Sequence, residues 1–176
     1  ELGCGIEKLV MFSSLSKRSN APGLRSGFVA GDPAIMEKFA FYRTYHGNAM
    51  SEMTQHASAL AWDDEAHVGA NRIAYQEKFH SLTPKLAGVL DVELPDATFF
   101  LWARVRNEAQ DGLSADEWFA RELYRKTNVT VLPGTYIGRD VPGGNPGENY
   151  VRLALVAEMK ECSEAVDRIV EFCGDL

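Results

Sequence analysis

The sequence predicts an α/β protein built in two parts. Two short β-prone runs near the start are followed by helical patterns, a long helical stretch fills the middle, and strand and helix patterns then alternate to the end. We expect the first part to cover residues 1–70 and the second to cover residues 71–176. The second part has the order β-α-β-β-α, which favours a small sheet covered by helices.

Composition excludes several classes of protein. The chain has 176 residues, of which 45% are apolar and 24% charged, so disorder, collagen-like repeats and disulfide scaffolds are ruled out. A net charge of −7 argues against a nucleic-acid-binding face. No apolar run approaches the ~20 residues that span a bilayer. Three scattered cysteines suit a reducing compartment, so we expect a cytoplasmic protein without nucleic-acid or membrane partners.

The first part begins with two predicted strands. Residues 9–15 form an apolar, β-prone run, and residues 26–31 form a second one that ends at a glycine. Asp32 is a suitable N-cap and Pro33 a suitable first residue for the helix that follows. Ser51 is placed to cap another helix. This part is therefore expected to consist of two strands followed by helices.

A long helix is predicted to join the two parts. The pattern is helical from about residue 64 to about residue 90. Gly69, the Thr83–Pro84 step and Gly88 are the expected breaks, because glycine and proline weaken a helix interior.

The second part alternates strands and helices. Residues 97–105 are rich in aromatic and β-branched side chains and predict a strand, and Ser114 is placed to cap the helix that follows. Residues 129–132 and 150–157 predict two more strands, and residues 160–172 predict a final helix with one apolar stripe.

A lysine with hydroxyl neighbours follows the first strand. Lys17 lies beside Ser14 and Ser16, and Arg25 comes eight residues later in a glycine-flanked segment. A lone loop lysine is usually only solvated, and we interpret Arg18 in that way, as a surface charge. The combination of amine, hydroxyls and guanidinium instead suits a phosphorylated aldehyde. The lysine can form a Schiff base, and the other groups can hold the phosphate.

These residues carry a resemblance to a known family. The segments SLSK and PGLRSG resemble the lysine motif of class I/II aminotransferases, which have the aspartate aminotransferase fold, fold type I, and use pyridoxal 5′-phosphate. The longer stretch SLSKRSNAPGLRSGFVAGD looks like the bacterial N-succinyldiaminopimelate aminotransferases of lysine biosynthesis. The resemblance implies that Lys17 binds the cofactor and then acts as general base and acid. It also implies that Ser14, Arg25 and, less directly, Ser16 bind the cofactor phosphate.

A second arginine lies inside a predicted strand. Alternation puts Val151 and Leu153 on one face and Arg152 on the other. Arg152 is either an edge-strand residue, the partner of a structural carboxylate, or a planar fork for a substrate carboxylate. Because the segment NPGENYVRL resembles the family's C-terminal region, the third interpretation is favoured, with Arg152 binding the substrate α-carboxylate. Trp102 is expected to fill a core.

The resemblance also implies residues that lie upstream of this sequence. In the family, an aspartate that holds the pyridine nitrogen precedes the lysine, whereas only sixteen residues precede Lys17 here. We therefore interpret residues 1–70 as the end of a large domain, holding the last two strands of its parallel sheet. Residues 71–176 would be the complete small α+β domain.

The expected activity belongs to the parent protein. It would transfer an amino group between amino-acid and 2-oxo-acid substrates, most simply from glutamate to N-succinyl-2-amino-6-oxopimelate, and would act as a homodimer. The chain alone is expected to be inactive. Two alternatives stay open, namely a β-lyase or decarboxylase on the same fold, and a domain fragment without catalytic function. The four histidines are too scattered to predict a metal site.

Overall fold

The chain has a mixed α/β structure, as the sequence predicts. A computed structural model describes residues 5–47 and 49–176. Its contacts divide the chain into two compact units, Glu1–Arg72 and Ile73–Leu176. Within the described ranges, no helix has the length and apolar character needed to cross a membrane.

The first unit contains a two-stranded ribbon. Strand β1, Val10–Ser14, pairs with β2, Gly27–Gly31, so that Ser14 lies opposite Gly27. The helices of this unit are α1, Leu15–Arg18, α2, Pro33–Arg43, and α3, Glu52–Asp63. The expectation of parallel strands is wrong, because β1 and β2 are antiparallel. Parallel neighbours are usually joined by a crossover helix, and residues 15–26 between these strands hold only two short turns, Leu15–Arg18 and Pro22–Leu24.

Side-chain caps begin α2 and α3 where the sequence predicts them. Asp32 Oδ1 accepts the backbone N–H of Ala34 at 2.8 Å, and Pro33 is the first residue of α2. Ser51 Oγ accepts the backbone N–H of Thr54 at 3.2 Å. Each cap satisfies a backbone donor that the first helical turn leaves without a partner.

The long helix α4, Ala66–Ala87, is less interrupted than predicted. It continues through Gly69 and Pro84, so these predicted breaks are wrong. A glycine costs a helix only about 1 kcal/mol, and Pro84 lies in the last turn, between the buried residues Leu82 and Leu86. Apolar burial on both sides of the proline therefore outweighs the local preference.

The second unit is an antiparallel sheet covered by helices. Its strands are β3, Phe100–Arg104, β4, Leu132–Pro133, and β5, Tyr150–Ala154, in the order β3-β5-β4. Its helices include α5, Ala115–Thr127, and α6, Met159–Gly174. The predicted β-α-β-β-α order is confirmed. Strand β4 starts later than the predicted residues 129–132, because Asn128 ends α5 in the left-handed conformation and the chain needs further residues to reach β5.

The two faces of this sheet differ sharply. Leu101, Ala103, Val151 and Leu153 point to the core and are at most 5% exposed. The strands pair Trp102 with Arg152, so these two side chains share the opposite face. The prediction that Trp102 fills a core is wrong. Its side chain stacks on Tyr150 with ring centroids 5.5 Å apart and is 37% exposed.

A buried carboxylate organises the segment that leads into β5. Asp116, at the start of α5, is fully buried and accepts the backbone N–H and the hydroxyl of Thr135 at 3.0 and 2.8 Å. It also accepts the backbone N–H of Asn149 at 3.2 Å. Gly134 and Gly147 lie so close that a Cβ on either would come within 2.1 Å of the other's carbonyl oxygen. These contacts fix the backbone before and after the loop of residues 136–146.

Replacing this carboxylate with an amide is expected to destabilise the second unit. Burial raises the pKa of Asp116, but hydrogen bonds from Thr135, Ser114 and Asn149 outweigh this and hold the pKa below its ordinary 3.8. Asp116→Asn has one acceptor oxygen where there were two, and its NH₂ group faces backbone donors. We expect a loss of about 2–3 kcal/mol in the free energy of unfolding, measured by urea denaturation at neutral pH.

The same variant gives a pH signature. Because the folded pKa of Asp116 is lowered, its contribution to stability is present above the ordinary value of 3.8 and is lost as the pH falls below it. The stability difference between the natural protein and Asp116→Asn should therefore shrink in acid. A difference that stays constant from neutral to acidic pH would contradict this role.

Candidate active site

Lys17 lies on a short helical turn that follows β1 directly. Ser14 caps this turn, and its Oγ accepts the backbone N–H of Ser16 at 3.1 Å. Leu15 is fully buried and accepts the backbone N–H of Ser19 at 3.0 Å. The Lys17 side chain is exposed. The fold thus fixes the backbone of the turn and leaves the amine accessible.

Two of the predicted hydroxyl groups meet beside this turn. Ser14 Oγ lies 2.9 Å from Ser16 Oγ and 3.0 Å from the carbonyl oxygen of Ser26. The Ser26 residue precedes β2, so this contact also ties the turn to the second strand. Both serines therefore stand at the end of β1, next to the lysine.

Arg25 is presented by a second short turn. The 3₁₀ turn Pro22–Leu24 packs against α1, and Arg25 closes it in the left-handed conformation, with φ 52°. Its guanidinium is exposed, donates to the carbonyl of Pro22 at 3.2 Å and forms no ion pair with any described residue. Gly27 lets β2 approach β1 closely, since a Cβ there would lie 2.6 Å from the carbonyl oxygen of Ser13. The turn can therefore offer a positive charge to an anion.

The chemistry of this group of side chains is uniform. Lys17, Ser14, Ser16 and Arg25 supply an amine, two hydroxyls and a guanidinium, all of which can donate hydrogen bonds. Such a set fits a ligand that carries a phosphate and an aldehyde, because the phosphate accepts hydrogen bonds and the aldehyde reacts with an amine. It does not fit a cation. Among residues 5–47 and 49–176, no cluster of three or more side chains suited to a metal ion is found.

Arg152 lies on β5, the central strand of the sheet in the second unit. The edge-strand interpretation is therefore wrong. The guanidinium lies 5.5 Å from the ring centroid of Phe100, and no carboxylate among the described residues pairs with it. The interpretation of Arg152 as the partner of a structural carboxylate is also wrong for residues 5–47 and 49–176. A half-buried guanidinium without an anion keeps its capacity to bind a carboxylate.

The structure brings four of the predicted site residues together. All four lie in the first unit. Ser14 is the last residue of β1, and Ser16, Lys17 and Arg25 lie between β1 and β2. Arg152 lies in the second unit, on its own sheet.

Comparison with known proteins gives the family. The sequence model of aminotransferase class I and II matches residues 2–169. The chain belongs to this family. The aminotransferase fold extends to remote structures, since an aspartate aminotransferase from Thermotoga maritima superimposes with a TM-score of 0.80 at 19% identity, covering 97% of this chain.

More similar aminotransferases come from several bacteria. The structure of an aminotransferase from Neisseria meningitidis is 53% identical, with a TM-score of 0.88, over 97% of this chain and 42% of that one. A structure from Thermus thermophilus, named a probable N-succinyldiaminopimelate aminotransferase, is 28% identical, with a TM-score of 0.77, over 97% and 43%. A curated 4-dedimethylamino-4-oxo-anhydrotetracycline transaminase from Streptomyces rimosus is 33% identical over 92% and 41%. The chain thus spans about 40% of these proteins.

Contacts around residues 15–19, which form α1 and its C-cap and are called the lysine turn below, also involve residues that sequence reasoning missed. Arg18 is not the surface charge expected, because its side chain is only 16% exposed and contacts α3. Ser19 Oγ lies 2.8 Å from His67 Nε2. The partners are separated by 43 and 48 residues along the chain, so no local pattern could have indicated them. The one local sign of the Arg18 contacts is that a second cationic residue directly follows Lys17.

Proposed function

We propose that the protein carrying this chain is a pyridoxal 5′-phosphate-dependent aminotransferase. The observation that carries the proposal is the group of donors at and after the end of β1. The exposed Lys17 follows two paired serine hydroxyls, and Arg25, which forms no ion pair with a described residue, closes the turn that packs against α1. Family membership supports the same activity. In this proposal, residues 1–70 are the end of the large cofactor-binding domain, and residues 71–176 are the small domain.

Lys17 is the proposed catalytic residue. Its amine would hold the cofactor aldehyde. As general base it would then take the proton from the substrate α-carbon, and as general acid it would deliver that proton to the former aldehyde carbon. Ser14, Ser16 and Arg25 bind the phosphate through hydroxyl and guanidinium donors. The cofactor, when bound, supplies an electron sink for the electrons released at the substrate α-carbon. The capped turn keeps the backbone of Lys17 in one place during these steps.

Arg152 is the proposed binding residue for the substrate α-carboxylate. A planar guanidinium can donate two parallel hydrogen bonds to a carboxylate, which fixes orientation as well as position. The absence of any carboxylate partner among the described residues supports this role, because the charge is available to a ligand. Both substrates of an amino transfer carry an α-carboxylate, so one arginine serves both half-reactions.

The proposed reaction is transfer from glutamate to N-succinyl-2-amino-6-oxopimelate in lysine and diaminopimelate biosynthesis. The stretch from Ser14 to Asp32 resembles that branch, and the similar Thermus thermophilus structure bears a name from the same branch. We also propose that the protein acts as a homodimer in the cytoplasm.

A coupled assay tests the proposal. The protein at its natural length is incubated with the cofactor, glutamate and N-succinyl-2-amino-6-oxopimelate, and both products are measured. We expect 2-oxoglutarate and N-succinyldiaminopimelate in equal amounts, with no product when either substrate is omitted. Product formation from an amino acid without a 2-oxo-acid acceptor would instead indicate a lyase or decarboxylase. Faster transfer to a different oxo acid would reassign the substrate.

A further inference from the structure

The residue that follows Lys17 is anchored to a distant helix end. Arg18 Nη1 donates to the carbonyl of Ala61 at 2.8 Å, and Nη2 donates to the carbonyl of Trp62 at 3.2 Å. The guanidinium also forms an ion pair with Glu65 and lies 4.8 Å from the centroid of the Trp62 ring. One side chain thus makes four interactions with the end of α3 and the residues after it.

A second anchor lies one residue further along. Ser19 Oγ is 2.8 Å from His67 Nε2, and His67 Nδ1 is 3.0 Å from a carboxylate oxygen of Asp64. Asp64 Oδ1 in turn accepts the backbone N–H of Ala66, where α4 begins. The lysine turn is therefore tied to both sides of the junction between α3 and α4.

The Arg18 contacts are directional as well as electrostatic. The last carbonyls of a helix have no partner within the helix and carry partial negative charge, so a cation is favourable there. A guanidinium donates to two carbonyls from a rigid planar fork, whereas an ammonium group donates from one nitrogen at the end of a flexible stem. Because Leu15 is buried on one side of Lys17 and Arg18 is fixed on the other, the backbone between them has little freedom.

We propose that Arg18 is a positioning residue for Lys17, which it acts on by docking the lysine turn onto the end of α3 so that the amine meets the cofactor aldehyde in one place. This inference rests on the proposed function of Lys17. Arg18 itself turns to α3 and contacts neither substrate nor cofactor in this role. A misplacement of about 1 Å can lower a reaction rate by up to a hundredfold, so loss of the anchor should be measurable.

The test measures attachment of the cofactor to the lysine and does not depend on turnover. The natural-length protein is incubated with pyridoxal 5′-phosphate, the adduct is trapped with borohydride over a time course, and the modified peptide is identified by mass spectrometry. Arg18→Met is compared with Arg72→Met, which removes an exposed arginine from α4 in the same unit. We expect attachment at Lys17 to be about tenfold slower in Arg18→Met and unchanged in Arg72→Met.

Arg18→Lys separates positioning from simple stability. It keeps the charge opposite Glu65 but loses the two-carbonyl fork, so we expect a rate between those of the natural protein and Arg18→Met. Amide hydrogen exchange in residues 15–19 should be slowest in the natural protein, faster in Arg18→Lys and fastest in Arg18→Met. Equal attachment rates in the natural protein and a folded Arg18→Met would overturn the inference while leaving the proposed function intact.

Two further outcomes are also decisive. If Arg18→Met does not fold, Arg18→Lys carries the test, and an attachment rate equal to that of the natural protein overturns the inference. If Lys17 is not modified in the natural protein, the proposed function fails and the inference fails with it.

Discussion

Alanine at position 17 is expected to lower the rate of amino transfer by at least about a thousandfold. Lys17 is proposed to hold the cofactor and to act as general base and acid, and a positioned proton-transfer group alone contributes roughly 10²–10⁴-fold. The Lys17→Ala protein should also lose the visible absorbance that cofactor attached to a lysine gives. Turnover is measured with glutamate and the oxo acid at saturating cofactor, and absorbance is recorded on the same samples.

A matched lysine controls for the loss of charge. Lys38 is an exposed residue of α2 in the same unit, and Lys38→Ala should leave both turnover and absorbance unchanged. The stability of Lys17→Ala should be close to that of the natural protein, because the side chain is exposed. A Lys17→Ala protein that kept both the absorbance band and full turnover would refute the assignment of the lysine.

Removal of the guanidinium from β5 is expected to have the second largest effect. Arg152→Met should lower kcat/KM for both the amino acid and the oxo acid by about a hundredfold or more, because truncating one partner of a hydrogen-bonded charge pair costs 2–5 kcal/mol. Arg152→Lys keeps the charge but not the two-pronged geometry, so its kcat/KM should lie between those of the natural protein and Arg152→Met. Steady-state kinetics with each substrate varied in turn gives both values.

Stability measurements show whether Arg152→Met lowers kcat/KM through lost substrate binding or through a less stable fold. Since no described carboxylate pairs with Arg152, the urea midpoint of Arg152→Met should match that of the natural protein. Arg139→Met, at an exposed position in the preceding loop, is the control and should leave kcat/KM unchanged. If kcat/KM stays unchanged in Arg152→Met, or falls only in parallel with its stability, the arginine does not bind the carboxylate.

Local signals account for what the sequence predicted well. The caps at Asp32 and Ser51 depend on hydrogen bonds within one helical turn, and the inward and outward faces of β5 follow from simple alternation. The grouping of Ser14, Lys17 and Arg25 follows from their closeness along the chain. These features need no knowledge of distant residues, so a single sequence is enough to predict them.

Features that depend on distant residues were missed or predicted wrongly. The Arg18 anchor joins positions more than forty residues apart. The exposure of Trp102 depends on whether other residues cover its face of the sheet. The helix runs through Pro84 because Leu82 and Leu86 are buried, which local propensity does not register. The antiparallel direction of β2 is a different case, because it goes with a connection that holds two short turns and no crossover helix.

The pairing of Trp102 with Arg152 also gives the protein an internal optical reporter. The indole lies directly across from the guanidinium on the same face of the sheet and is 37% exposed, whereas Trp118 is only 9% exposed. A carboxylate that binds Arg152 changes the electric field and the solvent at the indole, so its fluorescence should respond to the ligand. Substrate binding can thus be titrated without turnover, and the signal should vanish in Trp102→Phe.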